Sequence, residues 1–236
     1  MKILALITAR GGSKEIPNKN IIFIAKKPLI YYTINHAKQS TLINRIIVST
    51  DSQNIAKISK QFGAEVPFLR SKKFSKDSST TLDTVKHVLH QLKKIEYSPD
   101  IVVLMQPTSP IRSKKLLDNA IRKLIKTKCS SVISVKQIKN HPDILLNYKK
   151  KKLVPLDSKF YKYTLRQKQN SLYASTGSVY VFWKHTIEKY NSIYGPNICP
   201  IFVKDNQYNV DIDNKFDLFT SEMILKYWNR WNNQTK

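Results

Sequence analysis

ILALITARGGSK, residues 3–14, decides the fold class. Ile3 to Thr8 is a short apolar run that stops at a glycine-bearing loop, which predicts a buried strand. The loop, residues 9–20, carries Arg10, Lys14 and Lys19 around the adjacent Gly11 and Gly12. The whole chain has only five glycines in 236 residues, about 2 % where ~7 % is usual. Two side by side predict unusual backbone angles or a close ligand approach at this loop.

Working outward, the same alternation recurs. Leu29 to Ser40 follows Pro28 and reads as a helix. Arg45 to Ser49 reads as a strand, then a helix from Ser52 to Phe62 capped by Asp51 and stopped by Gly63. Glu65 to Leu69 is a short strand. Thr80 to Lys94 sets Leu82, Val85, Val88, Leu89 and Leu92 on one helical face. Ile101 to Met105 is a strongly apolar strand, Ser113 to Thr127 a helix and Ser131 to Val135 a strand. Strands and helices joined by short connections predict an α/β fold, a mostly parallel sheet with helices on both faces. Gln137 to Leu172 breaks the rhythm and is too long for an ordinary connection, so it predicts an excursion such as a dimerisation arm. Ser178 to Trp183 resumes as a strand and His185 to Asn191 as a short helix. Asn214 to Trp228 closes the chain with Phe216, Phe219, Met223 and Tyr227 in helical register. One domain over residues 1–236 is expected.

Composition narrows the function. The chain has 41 Lys and Arg against 16 Asp and Glu, a formal charge of +25, with 41 % hydrophobic residues. That apolar mass excludes a disordered basic tail. No run approaches the ~20 apolar residues of a membrane span, and the N-terminus lacks a signal-peptide pattern, so a cytoplasmic protein is expected. Cys129 and Cys199 alone make neither a disulfide framework nor a four-cysteine metal site. Lysine is spread along the chain, which reads as a solvated surface. Lys139 to Lys168 stands out, with nine Lys and Arg against Asp143 and Asp157, and its run Lys149–Lys152 reads as a solvated turn tip. Tyr148, Tyr161 and Tyr163 nearby would suit a nucleic-acid-binding module, but no recognised motif accompanies them, so nucleic acid is not an expected partner. His87 and His90 read as the solvated side of their helix.

Three polar clusters fall at the carboxyl ends of strands, where open α/β sheets bind ligands. In the first, Gly11 and Gly12 would turn backbone amides to a ligand beside Arg10, Lys14 and Lys19, a polyphosphate cradle. The alternative is a basic surface turn. The second is Gln106-Pro107-Thr108-Ser109-Pro110-Ile111-Arg112, whose prolines would hold Gln106, Thr108 and Ser109 rigid. The alternative is a stiffened turn with Ser113 as helix cap. In the third, Val210-Asp211-Ile212-Asp213, alternate residues face one side, so two carboxylates could share a Mg²⁺ with nucleotide phosphates. The alternative makes Asp213 a helix cap and pairs Asp217 with a lysine.

ARGGSK…KN, STDS, LMQPTSPIR and VDIDNKFDL, occurring in that order, resemble the acylneuraminate cytidylyltransferases, the CMP-sialic acid and CMP-nonulosonic acid synthetases, over about residues 3–228. The resemblance implies a Rossmann-like nucleotidyltransferase fold with a protruding dimerisation segment. It implies transfer of CMP from CTP to a nonulosonic acid, with release of pyrophosphate and with Mg²⁺. By motif, Arg10, Gly12, Ser13, Lys14 and Lys19 would hold the triphosphate, Lys14 acting in catalysis. Asn20, Arg70 and Thr81 would border the cytidine. Gln106, Thr108, Ser109, Arg166 and Tyr180 would contact the sugar, and Asp211 and Asp213 would bind the metal. The resemblance also implies a homodimer whose arm, residues 137–172, brings Arg166 to the neighbouring sugar site. Two positions depart from the family. Thr176 replaces the asparagine common before Gly177, and Glu15 places a carboxylate beside the phosphate loop. A Kdo or sugar-1-phosphate nucleotidyltransferase of the same fold is the alternative.

Overall fold

The computed structural model describes residues 1–75, 78–138, 144–156 and 171–234. Its centre is a six-stranded sheet. β1 (Ile3–Thr8) lies between β4 (Arg45–Ser49) and β5 (Ile101–Met105), parallel to both. The continuous apolar runs need cover on both faces, and Leu4 to Ile7 and all of β5 are fully buried. Beyond β5 come β9 (Tyr173–Trp183), β6 (Ser131–Gln137) and the edge strand β10 (Ile198–Phe202). β9 runs antiparallel to both its neighbours, and β10 is parallel to β6.

Helices cover each face. α1 (Leu29–Lys38), α2 (Gln53–Gln61) and α4 (Leu116–Thr127) pack one side through Ile30, Ile34, Ile55, Ile121 and Leu124. α3 (Thr81–Lys94) and α5 (Lys184–Tyr190) pack the other through Val85, Val88, Leu92 and Ile187. Each such side chain removed from water contributes about 1.5–3 kcal/mol. A third cluster matters for the site. Ile16 and Ile24, from the loop after β1 and the two-residue pair β2 (Phe23–Ile24) with β3 (Lys27–Pro28), pack on Leu29 and Ile212. Leu218 and Leu225 of α6 (Lys215–Gln234) close over them.

Several expectations change. Glu65 to Leu69 is a single parallel bridge, Ile47 to Glu65, because Pro67 removes the next ladder donor. The α4 helix starts at Leu116, after a turn in which its N–H bonds the Ser113 carbonyl at 3.1 Å. Ser52, not Asp51, caps α2, its hydroxyl accepting from Ile55 N–H at 3.4 Å. On α6 the Phe216, Phe219 and Tyr227 stripe faces solvent at 74, 57 and 52 % exposure, while Leu218, Ser221 and Leu225 pack inward. His87 is not on a solvated side either. It lies between Phe68 and Phe74, and burial lowers its pKa, with Arg70 pushing the same way.

The break at residue 137 is a real departure from the sheet. The chain leaves at Ile138 and returns at Leu172, whose carbonyl accepts from Ile138 N–H at 3.0 Å. Between them the described residues form a hairpin, β7 (Leu146–Lys149) with β8 (Lys152–Pro155). Lys150 and Lys151 make its turn with φ of +47° and +63°, which places the basic run at the tip.

Candidate active site

The loops at the carboxyl ends of β1 and β5 and the N-terminus of α3 enclose a cleft of about 530 Å³. Arg10, Ser13, Lys14, Lys19, Asn20, Arg70, Thr81, Gln106, Thr108 and Asp213 line it, so ten of the expected site residues meet there.

The β1 loop is held from below. Asn20 is buried and its Nδ2 donates to the Arg10 carbonyl at 2.8 Å, so it positions the loop from inside. The Gly11 N–H donates to Asp51 Oδ1 at 2.9 Å, and a Cβ on Gly11 would lie 3.2 Å from Ser52 Cβ. A side chain at Gly11 would therefore press on Ser52, which would have to give by a few tenths of an ångström. Neither loop glycine has positive φ, Gly12 stands in open space, and the Gly11 amide faces Asp51 instead of the cleft. The cradle is consequently one of side-chain cations. Lys19 Nζ donates to the Ile212 carbonyl at 2.7 Å and lies 3.5 Å from Asp213 Oδ1. Arg70 is buried; it donates to Thr84 Oγ1 at 3.1 Å and the Ser49 carbonyl at 3.4 Å, and its Nε has no hydrogen-bond partner among the described residues. Burial lowers its pKa, Asp51 opposes that, and Arg10 adds repulsion. Two guanidiniums this close favour an anion between them and the solvent.

The far end is a buried polar network. The Arg112 guanidinium, 3 % exposed, donates to the Ser178 carbonyl at 2.8 Å, Thr33 Oγ1 at 3.0 Å and the Gln106 carbonyl at 2.7 Å. It thereby clasps β9, α1 and the proline-rich turn together. Burial pushes it down to about 9, with Asp211 pulling back up, so it stays charged at neutral pH. Gly177, at φ +72°, sits under this turn. A Cβ there would come within 3.1 Å of Gln106 Oε1, 3.4 Å of Ser109 Oγ and 3.5 Å of Asp211 Oδ2, so these three side chains converge on it.

Asp213 is not the helix cap. Asn214 Oδ1 accepts from Phe216 N–H at 2.9 Å and Asp217 N–H at 3.0 Å, while Asp217 accepts from the backbone N–H groups of Asp213 and Asn214. Ile212 is buried and its N–H donates to the Thr108 carbonyl at 2.8 Å. That bond fixes the segment, which is not a strand, and leaves both flanking carboxylates exposed; Asp213 lines the cleft and Asp211 does not. They are hard oxygen donors beside a cationic cleft, a set that fits a divalent cation whose other ligands are phosphate oxygens. Among the described residues no group of three metal-binding side chains occurs.

Other expectations fall elsewhere. Ser109 is wholly buried beneath the turn, its Oγ 3.5 Å from the Thr176 carbonyl. Tyr180 does not line the cleft; it packs on the α3–α5 side, edge-on to Tyr194, and its hydroxyl accepts from Ser175 at 3.0 Å. Thr176 turns its hydroxyl away, to Ser134 Oγ at 2.7 Å. Glu15 does line the cleft. Arg166 lies outside the described residues. Thr8, Phe74, Ser79, Thr80, Thr84 and Pro107 also line the cleft and were not singled out by sequence. The Ser78-Ser79-Thr80-Thr81 tract carried a signal for some of them. It is a helix N-terminal signature, and Thr80 with Asp83 forms a capping box that aims α3 at the cleft.

A cationic loop after the first strand, facing Asp213 across a cleft at the ends of a mostly parallel sheet, fits a nucleotidyltransferase of Rossmann-like architecture. The chain belongs to the cytidylyltransferase family: the family model described as Cytidylyltransferase matches residues 4–215. It is 34 % identical to the CMP-N,N'-diacetyllegionaminic acid synthase of Legionella pneumophila, over 96 % of this chain and 97 % of that one. It is 29 % identical to a pseudaminic acid cytidylyltransferase of Campylobacter jejuni, over 96 and 97 %. A solved CMP-2-keto-3-deoxy-manno-octonic acid synthetase in complex with CTP shares the fold, with TM-score 0.72, 15 % identity and coverage of 95 and 98 %. No helix among the described residues is long and apolar enough to cross a membrane.

Proposed function

We propose that the protein transfers CMP from CTP to a nonulosonic acid, giving the CMP-sugar and pyrophosphate. The observation that carries this reading is the cleft itself, which joins the cations of the β1 loop to Asp213 in a chain that matches the cytidylyltransferase family over residues 4–215. Relatives named for legionaminic, pseudaminic and N-acylneuraminic acids span 29–34 % identity, which supports the substrate class.

The chemistry is displacement at the α-phosphorus by the sugar's anomeric hydroxyl oxygen, with pyrophosphate leaving. Catalysis of this kind is positioning plus neutralisation of charge. Arg10, Ser13, Lys14 and Lys19 hold the triphosphate and stabilise the leaving pyrophosphate. Asn20 fixes that loop, and Arg70 with Thr81 and Thr84 borders the nucleoside. Gln106 and Thr108 face the sugar. Asp211 and Asp213 would hold Mg²⁺, which supplies charge neutralisation at the phosphate. Residues 1–236 make one domain, with 137–172 as a dimerisation excursion. Its hairpin exposes Leu146, Tyr148, Leu153 and Val154 at 41–73 %, apolar surface that suits a homodimer contact. Arg166 is assigned to the sugar carboxylate by motif alone. An enzyme that consumes CTP works where CTP is, in the cytoplasm.

Pyrophosphate release tests the reading. CTP with legionaminic, pseudaminic, N-acetylneuraminic and Kdo acids should give turnover with one of the first three, and none with ATP, GTP or UTP. Turnover with Kdo alone, or with a sugar 1-phosphate, would overturn it.

A further inference from the structure

Cys129 and Cys199 are the only two cysteines in the chain, and the fold brings them to a single hydroxyl. Thr127 Oγ1 donates to Cys129 Sγ at 3.0 Å, and Cys199 Sγ donates to the same Thr127 Oγ1 at 3.5 Å. The parallel pairing of β6 with β10 sets Cys199 opposite Val132, just past Cys129. The Cys129 thiol also donates to the Ser131 carbonyl at 3.2 Å. Burial raises its pKa, and the Cys199 thiol beside it pushes the same way. Cys129 is wholly buried in the core under α4, whereas Cys199 is half-buried at the sheet edge. A buried cysteine alone acts as a small apolar side chain. That role does not require two thiols to meet when the chain has no others.

We propose that Cys129 and Cys199 are a modification site, a dithiol that a peroxide converts to an intramolecular disulfide fastening the edge strand β10 to the start of β6. The half-exposed thiol reacts first. The Cys199 sulfur takes one oxygen from the peroxide, the O–O bond breaks, and a sulfenic acid and one water result. The Cys129 sulfur then attacks the Cys199 sulfur, the S–O bond breaks, and a second water leaves with the Cys129 proton. Two thiols and one hydrogen peroxide give one disulfide and two waters. Proximity drives the second step, since the buried thiol has little thiolate of its own. The tether closes a long loop through β10, an edge otherwise held on one side only, so the oxidised protein should melt higher.

The test treats the full-length protein with hydrogen peroxide and reads intact mass, free thiols after denaturation, and melting temperature. The expected result is loss of two hydrogens, no free thiols, and a melting point raised by several degrees, all reversed by a dithiol reductant. Cys199→Ser should leave Cys129 reduced at the same dose. Cys129→Ala should leave a sulfenic acid at Cys199 that dimedone captures. The proposal fails if Cys199 gains two or three oxygens while Cys129 stays free, or if the disulfide joins two chains. Equal oxidation of Cys129 in the Cys199→Ser protein would also overturn it.

Discussion

At the β1-loop end of the cleft, Arg10, Lys14 and Lys19 stand on a loop anchored by Asn20 under the Arg10 carbonyl and Asp51 under the Gly11 amide. At the far end, Gln106, Ser109 and Gly177 belong to one buried network closed by Arg112. At the first end Lys14 stands exposed on its loop, while Lys19 both lines the cleft and ties the loop to the Ile212 carbonyl. The second end merges function and support throughout. A change at Lys14 should therefore appear mainly in kinetics, and one at the second end in stability as well.

The sharpest test of that contrast is Arg112→Met. It leaves the Gln106 and Ser178 carbonyls and Thr33 Oγ1 without their buried donor, and loses the charge facing Asp211. Removing one member of a buried charged network costs about 3–5 kcal/mol. Denaturant melts should show that loss, with Arg112→Lys recovering part of it. An unchanged midpoint would show the network is not what holds this end together.

The counterpart acts on turnover. Asp211→Asn and Asp213→Asn keep shape and remove charge, so each should lower kcat at least ~10²-fold. Lys14→Ala should lower CTP turnover about tenfold or more, with the melting temperature nearly unchanged, because the side chain is exposed on its loop. If Lys14→Ala unfolds the protein, the separation of function from support argued for Lys14 is wrong.

The far end was the harder one to read from sequence. β1 and β5 were legible residue for residue, since a buried parallel strand is a continuous apolar run. The cations of the first loop were legible because charge clustering survives in one dimension. Arg112 was visible only as a letter in a motif; besides the Gln106 carbonyl of the same turn, its partners are the Ser178 carbonyl and the Thr33 hydroxyl, both far away in the chain. β10 escaped because Pro200 interrupts a short run, which only an edge strand tolerates. The β7–β8 turn carries Lys150-Lys151 where Asn-Gly would have announced a hairpin. On α6 the aromatic stripe misled because exposure there is set by the small Ile16–Ile24–Leu29–Ile212 cluster, which takes the Leu218 and Leu225 face instead.

A smaller effect tests the same buried region through pH. His36 of α1 has its pKa lowered from 6.5 to about 4 by burial and by the nearby Arg112 charge. The unfolded chain therefore binds a proton near pH 6.5 that the folded one refuses until about pH 4. The stabilisation is whole above pH 6.5 and is lost as pH falls toward 4. Between pH 7 and 5 the loss from this one group is about 2 kcal/mol. His36→Asn should flatten that slope in urea melts across the window. A slope identical to that of the parent would assign the acid sensitivity to other groups.

The smallest expected effect lies where the charge is densest. Lys150 and Lys151 occupy left-handed backbone at the hairpin tip, a conformation that asparagine and glycine adopt more readily. A joint replacement, Lys149→Gln, Lys150→Asn, Lys151→Gly and Lys152→Gln, removes four charges while relieving the turn. The four lysines are exposed, and at physiological salt such charges are screened beyond ~8 Å. Turnover and KM for both substrates should stay within about twofold at that ionic strength, since no fixed contact is removed. Stability should hold or rise slightly as the turn gains residues suited to it. A tenfold rise in sugar KM would instead make the hairpin tip part of substrate capture. The far end of the cleft would then depend on a segment beyond its buried network, and the contrast between the two ends would have to be redrawn around that arm.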